Sequence, residues 1–300
     1  MNNLQIFLEQ TINGIQVGSI YALIALGYTM VYGIVKLINF AHGDIMMVGA
    51  YTTFLAITKY NVPMPVAIIL SMIICAILGI LIDRLAYKPL RNSPRISALI
   101  TAIGVSFLLE SIFLLWQGAT PKIISQDKIP FYLSSQTISV GSFKISYLTI
   151  VTIFTTIACM LILDFFIKNT KLGKATRAVS EDHGAAQLMG INVNFTIGLT
   201  FAIGSGLGAL GGVLYSLTYP NINPYMGMLP GLKAFIAAVF GGIGSIPGAM
   251  LGGYVMGLIE NYSKAYISST WANAIVFGVL ILILVFKPNG LFGKNTKEKV

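Results

Sequence analysis

Long stretches without a charged residue or a histidine dominate this chain of 300 residues. The longest are 10–35, 60–82, 145–163, 184–232, 234–259 and 265–286. A helix needs about 20 apolar residues to cross the hydrocarbon core of a bilayer, and most of these stretches reach that length. Because backbone polar groups must be satisfied internally in lipid, such segments are expected to be helices. The pattern therefore predicts an all-α, polytopic transmembrane bundle.

Polar breaks and turn residues divide the chain into nine predicted membrane segments. They are 11–35, 38–58, 62–82, 96–116, 147–167, 195–217, 229–241, 247–263 and 270–286. The seventh and eighth are short, and the turn Gly241-Gly-Ile-Gly-Ser-Ile-Pro247-Gly separates them. We predict a single transmembrane domain over 1–300, with about 8–9 membrane segments that include short or re-entrant helices near 229–263.

The composition agrees with a membrane protein and changes how the net charge is interpreted. The chain is 56% apolar and 10% charged, whereas soluble domains carry about 25% charged residues. Its net charge of +9 comes from basic residues between the apolar spans, as the positive-inside rule predicts. We therefore expect contact with membrane lipid and no binding of nucleic acid. Cys75 and Cys159 both lie within apolar spans, which argues against a disulfide framework or a cysteine metal site.

Basic residues also predict the orientation of the chain. Three polar segments carry most of them, namely 83–95, 168–177 and the tail from 287 onward. The positive-inside rule places all three in the cytoplasm, and counting the spans back then puts the N-terminus outside. The segment 117–147 carries only three lysines and alternates at Thr137-Ile-Ser-Val. It is predicted to be an extracytoplasmic loop that contains a hairpin.

Several polar residues lie inside the predicted spans, where a polar side chain normally faces the bundle interior or a watery route. The candidates for such a translocation path are Ser19, Tyr28, Thr29, Asn39, His42, Asp44 and Glu110. Burying an ionised Asp44 would cost about 2.5–3.5 kcal/mol. His42 and Asp44 either line or gate the path or brace the helix that does, or else Asn39 and Asp44 only cap a short helix break. Glu110 is either structural or couples proton movement.

No sequence pattern indicates an enzyme or an ATPase. The two histidines, His42 and His183, have no accompanying nucleophile or metal-ligand cluster. The phosphate-loop pattern G-x-x-x-x-G-K-[ST] does not occur in the sequence. We therefore predict no catalytic residue, no metal site and no cofactor on this chain. If ATP drives the protein, another polypeptide must bind it.

A charged island at 168–194 separates two apolar segments. Ser180 suits an N-cap, the acidic residues after it suit a first helical turn, and Gly190 suits a helix end. These signals predict a cytoplasmic loop with a short helix over 181–189. Its apolar side chains share one face by their spacing. The helix either fits a groove on a partner or lies among lipid headgroups.

The segment Ala185-Ala-Gln-Leu-Met-Gly190 resembles the cytoplasmic EAA-type loop of ATP-binding-cassette importer permeases, which docks onto the partner ATPase. Gly184 stands where that family has glutamate. The resemblance implies that the ATPase-coupling residues are Glu181, Asp182, Ala185, Ala186, Leu188, Met189 and Gly190.

Nearly the whole chain resembles the LivH-type permease subunits of ATP-binding-cassette importers for branched-chain amino acids. Four stretches carry the resemblance: 18–33, Asn39-Phe-Ala-His-Gly-Asp44, Ile222-Asn-Pro-Tyr-Met-Gly227 and 233–250. The resemblance implies a permease of the bacterial inner membrane that moves Leu, Ile or Val by ATP-driven alternating access. The implied partners are a related M-type permease, two ATP-binding subunits that hold ATP and Mg²⁺, and an extracytoplasmic binding protein.

The residues themselves leave two other functions open. One is a related importer permease for urea, amides or other amino acids. The other is a stand-alone secondary transporter in which Asp44 or Glu110 couples ion movement.

Overall fold

The computed structural model describes residues 3–36, 39–91, 93–130, 133, 136–140, 143–287 and 290–292. Within these ranges the α-helices are α1 (Asn3–Val35), α2 (His42–Thr58), α3 (Met64–Ile82), α4 (Arg95–Gln117), α5 (Tyr147–Asn169), α6 (Lys171–Glu181), α7 (His183–Leu188), α8 (Val193–Thr218), α9 (Met228–Gly241), α10 (Ile246–Tyr266) and α11 (Ala272–Phe286). Strands β1 (Thr137–Val140) and β2 (Phe143–Ser146) form an antiparallel pair. The polytopic helical bundle is confirmed.

Nine of these helices coincide with the nine predicted segments, and their bounds differ in places. The part of the chain described here has five helices that are long and apolar enough to span a membrane: Leu4–Val35, Met64–Leu90, Ile96–Gln117, Tyr147–Asn169 and Val193–Thr218. The first begins eight residues earlier than predicted, at Asn3 rather than 11. Beyond Ile82, α3 continues through a π-helical turn and a 3-10 turn to Leu90. In both places polar residues extend a helix past its apolar stretch.

Helix α1 forms the centre of the bundle and packs closely against α10. Glycines on both helices allow this approach, since a Cβ on Gly18 would lie 2.8 Å from the Cα of Tyr254. On α10, a Cβ on Gly253 would lie 2.5 Å from the backbone nitrogen of Ala22. Small residues spaced along facing helices bring backbones together in membranes. The contact therefore fixes α1 and α10 as one rigid pair.

Helix α2 begins inside the bundle rather than at its end. Lys36, directly after α1, has a φ of 52°, a left-handed conformation that helps turn the chain back. His42, the first residue of α2, contacts Gly208 near the middle of α8. The segment predicted as a continuous span over 38–58 is therefore a shorter helix that starts at depth.

Helix α9 also starts beside this point. Gly227, just before α9, packs directly against Gly43 in the first turn of α2. At its other end, α9 turns into α10 through Gly242 and Gly244, which have φ values of 98° and 94°. Only glycine adopts these conformations without strain. The predicted short helices near 229–263 are thus present as a tight helical hairpin.

The loops gather at two ends of the bundle. At one end, Arg91 donates to Asn194 Oδ1 over 2.7 Å, which joins the segment after α3 to the start of α8. At the other end, Lys122 pairs with Ile222 and joins the segment after α4 to the loop before α9. The predicted hairpin within 117–147 lies in this second group. The predicted cytoplasmic tail beyond Phe292 lies outside the described residues.

Outward faces of α3, α4 and α5 carry large exposed apolar side chains. They include Ile69, Ile73, Phe107, Leu115, Phe154 and Ile162. Helices that face lipid or another apolar protein surface have this character. The polar groups described next lie on the opposite, inner side.

Candidate functional site

Three predicted path residues at the start of α2 are deeply buried. Asn39, His42 and Asp44 are each no more than 2% exposed. Tyr87 donates a hydrogen bond from its hydroxyl to Asn39 Oδ1 over 3.0 Å. Among the described residues, Asn39 Nδ2, His42 Nε2 and Asp44 Oδ1 have no hydrogen-bond partner. Because buried polar atoms are normally paired, three unpaired ones within six residues mark a specialised site.

The ring of His42 fits between α1 and α8 because both helices have glycine there. A Cβ on Gly27 would lie 2.5 Å from His42 Nε2, and one on Gly208 would lie 3.1 Å from Cε1. The Tyr28 ring packs on the imidazole at a centroid distance of 4.5 Å. The two glycines therefore make room for the histidine, and Tyr28 holds its position.

A narrow cavity of about 10 Å³, about the space that one water molecule needs, lies beside His42, where α1, α2 and α9 meet. Its walls combine apolar side chains with a few polar groups. They are Tyr28, Val31, Tyr32, Asn39, His42, Phe235, Ala238 and Ile243. The structure thus brings three predicted path residues, Tyr28, Asn39 and His42, to one cavity.

The Asp44 side chain contacts helix α4. Ser106 of α4 donates a hydrogen bond to Asp44 Oδ2. The N-cap position of α2 is Ala41, whose side chain makes no cap hydrogen bond. Asp44 lies in the first turn of α2, and its capping role stays a prediction. Its carboxyl group joins α2 to α4, with the 8% exposed Glu110 one turn beyond Ser106 on the same helix.

Two further predicted path residues are buried in helix contacts. Ser19 is fully buried and donates to the carbonyl of Ile15 over 2.8 Å. Thr29 is 2% exposed, and its hydroxyl lacks a partner within the described ranges. Neither residue lines the cavity. Both remain predictions as path residues.

Sequence reasoning missed a buried ionic cluster between α1, α9 and α10. Lys233 Nζ lies 2.9 Å from Glu260 Oε1, and Lys264 Nζ lies 2.6 Å from the same oxygen. Tyr21 donates its hydroxyl proton to Glu260 Oε2 over 2.7 Å. Lys233 and Glu260 are only 6% and 3% exposed. These two charges interrupt otherwise uncharged stretches of the sequence, and this pattern could have indicated the cluster.

The cluster ties α9 to the rigid pair of α1 and α10. Charges inside membrane helices are costly unless they are paired, so the contact constrains how α9 can move. Lys233 faces α10 and is neutralised there, which leaves the other side of α9, with Phe235, facing the cavity.

The charged island folds as two helices rather than as the predicted helix 181–189. Helix α6 continues through Ser180, whose hydroxyl donates to the carbonyl of Arg177 over 2.7 Å, and ends at Glu181. Asp182 is the actual cap of α7, because its Oδ1 accepts a hydrogen bond from the Ala185 backbone over 2.9 Å. The backbone N–H groups of Ala185 and Gly184 lower the pKa of the Asp182 carboxyl below its usual value. The predicted helix therefore starts two residues later and stops at Leu188.

Short helix α7 presents an apolar surface to solvent. Leu188 is 90% exposed and Met189 is 82% exposed, whereas Ala186 is buried against the bundle. Gly190 ends the helix with a φ of 79°, in the left-handed conformation typical of this position. A Cβ placed on Gly184 would lie 3.3 Å from Asp182 Oδ1, a tight contact with the oxygen that caps α7. Apart from the buried Ala186, the predicted coupling residues thus share one small exposed surface at α7.

Comparison with known proteins identifies the family. A family model described as "Branched-chain amino acid transport system / permease component" matches residues 10–285. The chain belongs to this family. The permease is 44% identical, over 98% of each chain, to "High-affinity branched-chain amino acid transport system permease protein BraD" of Pseudomonas aeruginosa.

Two further relatives carry different substrates in their names. The permease is 41% identical, again over 98% of each chain, to the "High-affinity branched-chain amino acid transport system permease protein LivH" of Escherichia coli. The "Ribose import permease protein RbsC" of Haemophilus influenzae is 23% identical over 96% of this chain and 87% of its own. The relatives are transport permease components, and the predicted resemblance to LivH-type permeases is confirmed.

Proposed function

We propose that this permease moves Leu, Ile and Val across the inner membrane of a bacterium as one subunit of an ATP-driven importer. The observation that carries the proposal is the identity of 41–44%, over nearly the full chain, with proteins named as branched-chain amino acid permeases. Urea, other amides and other amino acids are the competing substrates.

In this proposal the permease has three kinds of protein partner, namely an M-type permease, a pair of ATP-binding subunits and an extracytoplasmic binding protein. Membrane lipid surrounds the assembly. ATP and Mg²⁺ bind to the ATP-binding subunits, and this chain supplies no cofactor site and no catalytic residue. The exposed apolar faces of α3, α4 and α5 offer ample surface for lipid and the second permease.

The end of the bundle that carries 83–95, α6 and α7 is cytoplasmic, and the opposite end with β1 and β2 is extracytoplasmic. Two observations support this orientation. The basic residues gather at the first end, as the positive-inside rule requires. The contact of Arg91 with Asn194 shows that the segments before α4 and before α8 share that end. The N-terminus then lies outside and the C-terminal tail lies in the cytoplasm.

Helix α7 is the contact through which ATP-driven closure of the ATPases moves the bundle. Its support is the pair of exposed apolar side chains, Leu188 and Met189, beside an anchored Ala186. Exposed apolar side chains on a rigid, capped element are suited to filling a groove on a partner. The path residues then alternate between the two sides of the membrane as the bundle rocks.

Reconstitution tests the proposed function. The permease would be co-purified with its three kinds of protein partner and placed in proteoliposomes with ATP inside and labelled leucine outside. We expect uptake that requires both ATP and the binding protein. Uptake by this chain alone, driven by an ion gradient and indifferent to ATP, would instead establish a secondary transporter.

Coupling is tested separately in the same proteoliposomes. Leu188→Asp should lower ATP-dependent uptake by at least tenfold without unfolding the permease, since the side chain is exposed in the free chain. Leu172→Asp on α6 is the matched control, because Leu172 is also an exposed leucine of the island. Equal uptake by the Leu188 variant and the unaltered complex would remove α7 from the coupling path.

A further inference from the structure

A groove lies between the extension of α3 and the start of α8, at the end of the bundle that carries α6 and α7. Its volume is about 380 Å³, which is within the usual range for pockets that bind small molecules or headgroups. The walls are Asp83, Arg84, Lys88, Asn192, Asn194 and Phe195. All of them except Asp83 are exposed, so the groove is open to molecules outside the bundle.

The groove carries an excess of positive charge. Arg91 Nη2 donates to both carboxylate oxygens of Asp83, over 2.7 and 3.0 Å, and neutralises the acidic wall. Within the described parts of the chain, neither Arg84 nor Lys88 takes part in an ion pair. These two cations are therefore available to an anion.

Two asparagines add hydrogen-bond donors to the groove. Asn192 Oδ1 accepts from the backbone of Phe195 over 3.0 Å, and Asn194 Oδ1 accepts from Arg91 over 2.7 Å. Because each carbonyl oxygen is engaged, the NH₂ group is the remaining part of each amide. Guanidinium, ammonium and amide N–H groups all donate to phosphate oxygens, and the charged donors form the stronger bonds. The chemistry of the groove thus fits a phosphate group.

Exposed apolar side chains lead along α3 to this groove. Four of them are spaced four residues apart and are each at least 46% exposed: Ile73, Ile77, Leu81 and Leu85. Phe195, on the opposite wall, is 57% exposed. Basic residues at the end of an apolar span lie at the level of the lipid headgroups, and basic pockets between such helices bind anionic headgroups. A phosphate attached to aliphatic chains would therefore contact both the two cations and the apolar stripe.

A second groove lies on the other side of Lys88 and extends toward α7, with Gln187 and Gly190 among its walls. An ATP-binding subunit docked on α7 is the competing occupant of this second groove. Arg84 and Phe195 line only the first groove, and the apolar stripe of α3 ends beside Arg84. The position of the first groove therefore favours a lipid over a protein partner.

We propose that the groove beside Arg84 and Lys88 binds the phosphate of an anionic phospholipid, whose chains lie along the exposed stripe of α3. The two cations neutralise the phosphate, and the amides of Asn192 and Asn194 donate to its oxygens. Phe195 packs against the first carbons of the lipid chains. The lipid thereby joins the extension of α3 to the start of α8, beside the bond between Arg91 and Asn194.

Photolabelling of the complete transport complex tests this site. The complex would be placed in phosphatidylcholine nanodiscs that contain a trace of phosphatidylglycerol with a diazirine close to the headgroup. Mass spectrometry of peptides should locate adducts on Leu81, Leu85 or Phe195. Arg84→Gln combined with Lys88→Gln should lower this labelling roughly tenfold, because each cation near the membrane surface adds to the affinity for an anionic lipid.

Two matched variants serve as controls for the loss of charge. Lys171→Gln combined with Lys174→Gln removes two exposed lysines of α6 at the same end of the bundle, and it should leave labelling within about twofold of the unaltered complex. Arg84→Lys combined with Lys88→Arg keeps both charges and should retain labelling. Equal losses in the two glutamine variants would overturn the site, since net charge rather than the groove would then attract the lipid.

The unaltered complex provides tests that do not depend on any substitution. Equal labelling of the same residues by a matching phosphatidylcholine probe would overturn selection for an anionic lipid. Displacement of the probe by inorganic phosphate would assign the groove to free phosphate. Labelling of the permease alone that disappears in the complete complex would assign it to the ATP-binding subunits. None of these measurements requires transport, so a failure of the proposed transport function would leave them interpretable.

Discussion

Two sets of helices in this permease begin differently. Five begin behind a side chain that accepts a hydrogen bond from the first turn, namely Ser146, Thr170, Asp182, Asn192 and Ser245. Helices α2 and α9 begin inside the bundle, and their N-cap residues, Ala41 and Gly227, make no such hydrogen bond. Helices α3, α4 and α11 also begin without one, but they follow loops. At an exposed helix start, water can satisfy the free N–H groups, but it is scarce inside a packed bundle. The two internal starts therefore lack the N-cap hydrogen bond where α2 and α9 meet.

Breaking the buried ion pair should produce the largest loss of stability, because this pair holds α9 against α10. Glu260→Gln leaves the buried Lys233 ammonium without a full counter-charge, and breaking such a pair costs about 3–5 kcal/mol. We expect a marked fall in the melting temperature of the purified permease. The double variant Lys233→Met with Glu260→Gln should recover much of the loss.

Lys264→Met provides the control for this prediction. Lys264 contacts the same Glu260 oxygen but its side chain is 36% exposed, so its removal should lower the melting temperature far less. If the single variants Lys233→Met and Lys264→Met lowered the melting temperature equally, burial would not determine how much each lysine stabilises the permease.

Gly227→Ala should produce the next largest effect by separating the two internal starts. The new Cβ would collide with the backbone of Gly43, and overpacking of this kind costs about 1–3 kcal/mol. Denaturation of the purified permease would measure the loss. Gly104→Ala is the control, since a Cβ there meets nothing within 4 Å, and it should be neutral or slightly stabilising. A tolerated Gly227→Ala variant would mean that α2 and α9 need not touch.

Asp182→Ala tests a helix, α7, that begins with a side-chain cap. Loss of the hydrogen bond to the Ala185 backbone should unfold α7 locally, and hydrogen exchange at neutral pH should be faster over 183–188 only. Since the folded state lowers the pKa of Asp182, the cap contributes fully above the ordinary pKa of the carboxyl. The contribution is lost as the pH falls through the lowered value. Unchanged exchange in the variant would show that bundle contacts alone hold α7.

Gly184→Ala should produce the smallest effect. The position is helical, and a Cβ there would meet only Asp182 Oδ1, at 3.3 Å. Alanine should stabilise α7 by at most about 0.5–1 kcal/mol through lower backbone entropy in the unfolded chain, because a small shift of the cap oxygen offsets part of the gain. Slower hydrogen exchange over α7, with unchanged leucine uptake, is the expected result. Faster exchange would indicate that the contact with Asp182 outweighs the gain in backbone entropy.

The same contrast explains how much of the fold the sequence could predict. All nine predicted segments are helices because the length of an apolar stretch reports directly on membrane crossing. The hairpin at Thr137 was also predictable from its alternating residues. These features depend on neighbours along the chain, which a sequence displays.

Features that depend on distant partners were harder to predict. The depth at which α2 begins is set by Gly208 and Gly227, more than 150 residues away. Glu260 lies near the end of a predicted span, and nothing in the sequence places Lys233 beside it. Ser180 is as good a cap by type as Asp182, but α6 continues past it. Residue type therefore identified polar candidates, while packing decided which of them share a cavity.

The short segment after α11 has a practical consequence. The backbone N–H groups of Leu291 and Phe292 donate to the carbonyls of Phe240 and Gly241 over 2.8 and 3.1 Å, so the last turn of α9 is bonded to chain that follows the final span. Any affinity tag or fluorescent label joined close behind Phe292 would pull on α9 itself. A loss of transport in a tagged protein would then report on the tether rather than on the substitution under study.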